Sequence, residues 1–135
     1  MSHDPDKNPR NLIVVLGDQL NDYNYTLSDA DPERDAVWMA EVEEESTRVR
    51  SHKARIAYFL SAMRHFRDLL RKRGYTVHYR SLGDKENRSS LAGELRATIA
   101  QLKPERLVML EPDEWRLDRA LRKVAKDADV KLEVE

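Results

Sequence analysis

The stretch that most constrains this chain is Asn11-Leu12-Ile13-Val14-Val15-Leu16-Gly17-Asp18-Gln19-Leu20. Five consecutive leucine and β-branched side chains with no polar break read as a strand buried on both faces, the habit of a central strand in a parallel sheet. Gly17 ends the run. Asp18 and Gln19 then emerge at the strand's carboxyl end, where open α/β sheets bind their ligands.

Two further apolar runs behave alike. Ala36-Val37-Trp38-Met39-Ala40 reads as a second buried strand that exits through Glu41-Val42-Glu43-Glu44-Glu45-Ser46. Arg106-Leu107-Val108-Met109-Leu110 reads as another, with Glu111-Pro112-Asp113-Glu114-Trp115-Arg116 as its exit loop. Between and after them lie amphipathic segments. Residues 53–73 carry Ile56, Phe59, Leu60, Met63, Phe66 and Leu70 at helical spacing, and Gly74 fits the left-handed position that closes many helices. A second helix follows Ser89-Ser90, candidate caps, with Leu91, Leu95, Ile99 and Leu102 on one side and Pro104 barring its extension. A third is expected after a cap at Asp113, with Leu117, Leu121, Val124 and Ala128 facing the sheet. Tyr75-Thr76-Val77-His78-Tyr79 alternates less cleanly and is placed towards an edge; Val130-Lys131-Leu132-Glu133-Val134 alternates strictly, as a half-exposed strand does.

Strand-helix alternation with buried parallel strands predicts an α/β fold: a three-layer, doubly wound, Rossmann-like parallel sheet of five strands in the order 3-2-1-4-5. Residues 1–10, polar and carrying Pro5 and Pro9, read as a disordered tail; residues 11–135 read as one domain. Residues 21–35 have a loop's composition at a length that suits a flap over the sheet end.

Composition then excludes several functions. With no cysteine there is no disulfide framework, thiolate metal site, cluster ligand or cysteine nucleophile in this chain. A formal charge of −1 does not make the whole chain a basic nucleic-acid binder, although a local patch is compatible with it. Neither G-x-G-x-x-G nor G-x-x-x-x-G-K-[ST] occurs, so no phosphate cradle is encoded. The expected rim of Asp18, Gln19, Glu41, Glu43, Glu44, Glu45, Glu111 and Asp113 suits a neutral, hydroxyl-bearing heterocycle better than a divalent cation. Plainer roles stand beside these. Asp18 can bond its own turn, Glu43 to Glu45 can be a solvated first helical turn, and Trp38 and Trp115 read most simply as core or hinge packing. His52 and His65 lack ligand spacing, and Arg64, Arg67, Arg71, Lys72 and Arg73 read as wet helix surface. No catalytic constellation and no metal site are expected.

Five ordered segments add a resemblance. Leu16-Gly17-Asp18-Gln19-Leu20, Glu41-Val42, His52-Lys53, Ile56-Ala57-Tyr58-Phe59-Leu60-Ser61-Ala62-Met63-Arg64-His65-Phe66 and Glu111-Pro112-Asp113-Glu114-Trp115-Arg116 closely resemble the amino-terminal domain of the bacterial cryptochrome/photolyase-related proteins, the branch that includes the prokaryotic (6-4) photolyases with an iron–sulfur cluster. The resemblance implies an α/β antenna domain that holds 6,7-dimethyl-8-ribityllumazine and packs on a helical FAD-binding domain that repairs damaged DNA. By position it implies Asp18, Gln19, Glu41 and Glu45 as polar contacts of the chromophore, with Ile56 and Phe59 on its apolar side. FAD, the iron–sulfur cluster and the damaged-DNA surface belong to the helical domain, which lies beyond Glu135, so no catalysis is expected of this chain alone. The expected partner is that FAD-binding domain, in cis or as a separate chain, in a cytoplasmic setting with no membrane contact. The alternative function is a non-catalytic interaction module that has lost the chromophore.

Overall fold

The computed structural model describes residues 4–17, 19–20, 30–42, 53–83, 90–112 and 114–135, with side chains of 53–56 excepted. Its elements are β1 (Asn11–Val14), β2 (Ala36–Ala40), α1 (Lys53–Lys72), β3 (Thr76–Arg80), α2 (Leu91–Leu102), β4 (Arg106–Met109), α3 (Trp115–Asp127) and β5 (Lys131–Val134). All four strand pairings are parallel, in the order β3-β2-β1-β4-β5. The expected fold is the one observed, with β1 in the centre.

Why β1 and β2 needed unbroken apolar runs is visible in the two cores. Leu12, Val14, Leu16, Ala36, Trp38, Ala40, Leu107 and Met109 face α2 and α3; Ile13, Val15, Val37, Met39, Val77 and Val108 face Met63, Phe66 and Leu70 of α1. Alternate residues of one strand serve opposite layers, so neither face can be polar. Trp38 belongs to the core as expected, and its indole N–H donates to Thr98 Oγ1 at 3.0 Å. In β5 only the α3 side is packed, by Leu132 and Val134, which is why Lys131 and Glu133 alternate with them.

The helix ends refine the reading. Gly74 takes φ +95°, and Tyr75 N–H reaches back to Leu70 O at 3.1 Å to close α1. Ser90 caps α2, its Oγ accepting from Gly93 N–H at 3.0 Å. For α3 the cap is Glu114, whose carboxylate accepts from Arg116 and Leu117 N–H at 3.2 and 2.9 Å; Asp113, the expected cap, lies outside the described residues. Glu114→Ala is therefore expected to cost about 1 kcal/mol in urea unfolding, the usual loss for an N-cap side chain. On the inner face of α3 the buried residues are Leu121, Val124 and Ala125, whereas Ala128 is exposed because it is already the C-terminal cap.

Within the stretch expected to be a tail, residues 4–10 make several hydrogen bonds. Asn8 N–H donates to Asp4 O at 2.8 Å, the Pro5 carbonyl sits 3.0 Å from His78 Nε2, and Arg10 forks onto the buried Asp35. Among the described residues no helix is long and apolar enough to cross a membrane.

Candidate functional site

In a sheet ordered 3-2-1-4-5 the chain departs from β1 in opposite directions, and the crevice falls between the carboxyl ends of β1 and β4. Gln19 closes that crevice. Its backbone N–H donates to Leu16 O at 2.9 Å, its Oε1 accepts from Leu16 N–H at 3.3 Å, and its Nε2 donates across to Leu110 O at 3.4 Å. One amide thus ties the turn after β1 to the exit of β4. Beside it, a Cβ placed on Gly17 would clash with Cζ and Cε2 of the Phe59 ring and lie 3.3 Å from Met63 Sδ. The absent side chain is what lets an aromatic ring of α1 lie on the rim backbone. Leu20 and Ala30 pack with Phe59 against the same core, so this part of the rim is an apolar, aromatic wall bordered by an amide.

Glu41 follows β2 onto the same edge, but its carboxylate turns inward and is 0% exposed. Arg64 donates to both of its oxygens, Nε to Oε2 at 2.7 Å and Nη2 to Oε1 at 2.8 Å. Leu82 N–H donates to Oε1 at 2.9 Å, and the Tyr79 hydroxyl donates to Oε2. These bonds fill a carboxylate's accepting capacity, so Glu41 is not the outward polar contact the sequence reading makes it. Burial pushes its carboxyl up, and the bonds from Arg64, Tyr79 and Leu82 outweigh that and hold it below the ordinary glutamate value. The Tyr79 hydroxyl is raised, first by burial and then by Glu41, and the Arg64 guanidinium is raised by its bonds to Glu41. Arg67 adds a guanidinium 4.6 Å from the centroid of the Tyr79 ring. Together these groups clamp α1 onto β2 and β3 within two turns of Phe59, and so hold its ring in place.

The cations of α1 are accordingly more than wet surface: Arg64 and Arg67 serve this network, and Arg71 donates to Val77 O at 2.9 Å. Sequence reasoning missed Arg64 and Tyr79. Their signal was an acid set between Ala40 and Val42 in an apolar run, since a carboxylate buried there requires a cation. Of the remaining expected site residues, Asp18 and Glu45 lie outside the described residues, as do Glu43, Glu44 and His52. Ile56 is described only as backbone of α1. Gln19 and Phe59 are brought to one place, on either side of Gly17. Trp115 is neither core nor hinge packing; it is 60% exposed at the start of α3.

Comparison with known proteins gives two findings. The sequence model of the family described as "Deoxyribodipyrimidine photo-lyase-related protein" matches residues 13–135. A "(6-4) photolyase" of Agrobacterium fabrum (strain C58 / ATCC 33970) is 41% identical over 106 residues, covering 78% of this chain and 21% of that protein. The chain spans about a fifth of the length of this curated relative.

Proposed function

The chain belongs to the family of deoxyribodipyrimidine photo-lyase-related proteins, and from this premise we propose that it is a chromophore-binding antenna domain whose full-length relatives repair ultraviolet-damaged DNA with FAD. The observation that carries the reading is the rim at the β1/β4 crevice: the Phe59 ring lying on Gly17, bordered by the Gln19 amide, in a sequence that carries no glycine-rich phosphate motif. A planar, uncharged heterocycle with a hydroxylated side arm fits such a rim, and 6,7-dimethyl-8-ribityllumazine is of that kind. Phe59 takes the ring's face, Gln19 orients its polar edge, and Asp18, Glu45 and Ile56 complete the contacts. Glu41 acts through Arg64 as a positioning residue. The chemistry such a chromophore supplies is light absorption, with transfer of the excitation to flavin in the FAD-binding domain, where an iron–sulfur cluster also belongs. This chain's residues make no and break no bond.

Titrating 6,7-dimethyl-8-ribityllumazine into the purified chain tests the proposal. Saturable, polarised lumazine fluorescence is expected, with a rise of several degrees in melting temperature at ligand far above Kd, where mass action adds about 3 kcal/mol. Phe59→Ala is expected to weaken binding at least tenfold. A specific observation favours the second reading, an interaction module without chromophore: the Phe59 ring already occupies the space over Gly17. Tighter binding by Phe59→Ala than by the parent chain, or no fluorescence response at saturation, would establish that reading instead.

A further inference from the structure

The outer face of α3 carries charge in a pattern the chromophore reading does not use. Within Trp115–Asp127 there are five arginines and lysines against two aspartates, in a chain whose formal charge is −1. Three of the charged groups on neighbouring rows are neutralised: Arg122 pairs with Asp118 at 2.9 Å, and Asp127 lies 3.6 Å from Arg96 of α2. Arg116, Arg119, Lys123 and Lys126 are exposed, and among the described residues none of the four is in an ion pair. Their spacing of three, four and three residues places them in one row along the helix. At 1.5 Å per residue that row is about 15 Å long. At its amino-terminal end stands Trp115, with the Arg119 and Arg116 guanidiniums 5.4 and 5.9 Å from its ring centroid.

We infer that this row is a sequence-independent binding surface for the sugar–phosphate backbone of a single-stranded nucleic acid, with Trp115 as the platform for one unstacked base. Unpaired cations repeating along a line fit a repeating anion, and an exposed aromatic ring beside arginine is the partner that bases accept whatever their sequence. The positive end of the helix dipole lies at the same end as the indole. An anionic bilayer fits less well, because Leu121, Val124 and Ala125, the apolar face an interfacial helix would insert, are buried against the sheet. A row of acidic side chains on a protein would satisfy the cations but leaves the indole without a planar partner. This surface is independent of the Gln19–Phe59 rim, so either assignment can fail without the other.

The test is fluorescence anisotropy of a labelled twelve-nucleotide oligothymidylate titrated with the full 135-residue chain at low salt. Saturable binding is expected, with quenching of the exposed indole and a log K against log salt slope of about −2 to −3 for three to four backbone contacts. Arg119→Glu with Lys123→Glu is expected to weaken binding at least tenfold, and Trp115→Ala roughly tenfold, while Lys131→Glu on β5 leaves it unchanged. Circular dichroism melting of each variant verifies the fold, which these exposed positions do not support. The inference is overturned if no saturation occurs below about 100 µM at low salt. It is equally overturned if Lys131→Glu weakens binding as much as the α3 variants. Sodium polyglutamate or phosphatidylglycerol vesicles bound as tightly as the oligonucleotide would reassign the surface to an acidic protein or a membrane.

Discussion

Replacing Arg64 by methionine is expected to cost this protein about 3 kcal/mol of stability at pH 7, measured as the shift of the urea unfolding midpoint. The reason is an asymmetry of burial: the Glu41 side chain is 0% exposed and Arg64 is 47% exposed. Losing the arginine strands an anion inside the fold. Neutralising the anion with Glu41→Gln leaves a cation that can turn to water, and an amide oxygen that still accepts from Tyr79 or Leu82, so its cost is expected to be about 1 kcal/mol. The double variant Glu41→Gln/Arg64→Met should recover most of the loss. Equal destabilisation by Arg64→Met and the double variant would contradict the assignment. The pH dependence separates the cases further. In the parent chain the folded carboxyl sits below its unfolded value of 4.5, so its stabilisation is complete above that pH and is lost as pH falls through the folded value. In Arg64→Met burial dominates and raises the carboxyl, so that variant should gain stability as pH is lowered from 7 towards 5.

The other end of β2 is pinned in the same way. Asp35, 1% exposed, accepts from Arg10 Nε and Nη2 at 3.1 and 3.0 Å, from Asn11 N–H at 3.1 Å and from Asp31 N–H at 2.9 Å. Asp35→Ala removes the acceptor for two backbone N–H groups and for a guanidinium that anchors the chain entering β1. A loss of about 2–3 kcal/mol in urea unfolding is expected, with Asp35→Asn intermediate because its amide keeps one acceptor. Burial pushes the Asp35 carboxyl up, and the Arg10 and N–H bonds outweigh it and hold it below 3.8, so its stabilisation too is full above that value and disappears as pH falls further. Acid unfolding of the parent chain should therefore begin below about pH 4.5, with the limb below 3.8 missing in Asp35→Ala. An unchanged acid limb in that variant would mean that other carboxylates control it.

Much of the fold was legible because it rests on patterns with a period. The runs at Leu12–Leu16, Ala36–Ala40 and Leu107–Met109 had to be double-faced strands, and Met63, Phe66 and Leu70 had to share a helix face. Single side chains with two plausible fates were not legible. Glu41 was read as rim because it follows a strand, yet a carboxylate is buried or exposed according to whether a cation reaches it, and that cation lies 23 residues later on another layer. Trp115 was read as packing because tryptophan usually packs; α3 turns its other face inward, and the indole is left outside. Polar composition at residues 4–10 did not distinguish a free tail from one hydrogen-bonded to His78 and Asp35. The Gln19 bridge to Leu110 spans 91 residues and exists only because the strand order makes β1 and β4 neighbours.

By itself, then, the sequence determined the layers and, through strand–helix alternation with right-handed crossovers, the parallel order 3-2-1-4-5 with β1 at its centre, because periodicity is a property of neighbouring residues. Only the tertiary structure decided which acids of the rim are spent on holding α1 in place, and that the wall beside Gly17 is the ring of Phe59. Pairing and contact depend on distance in space, which hydrophobic patterning along a chain does not encode.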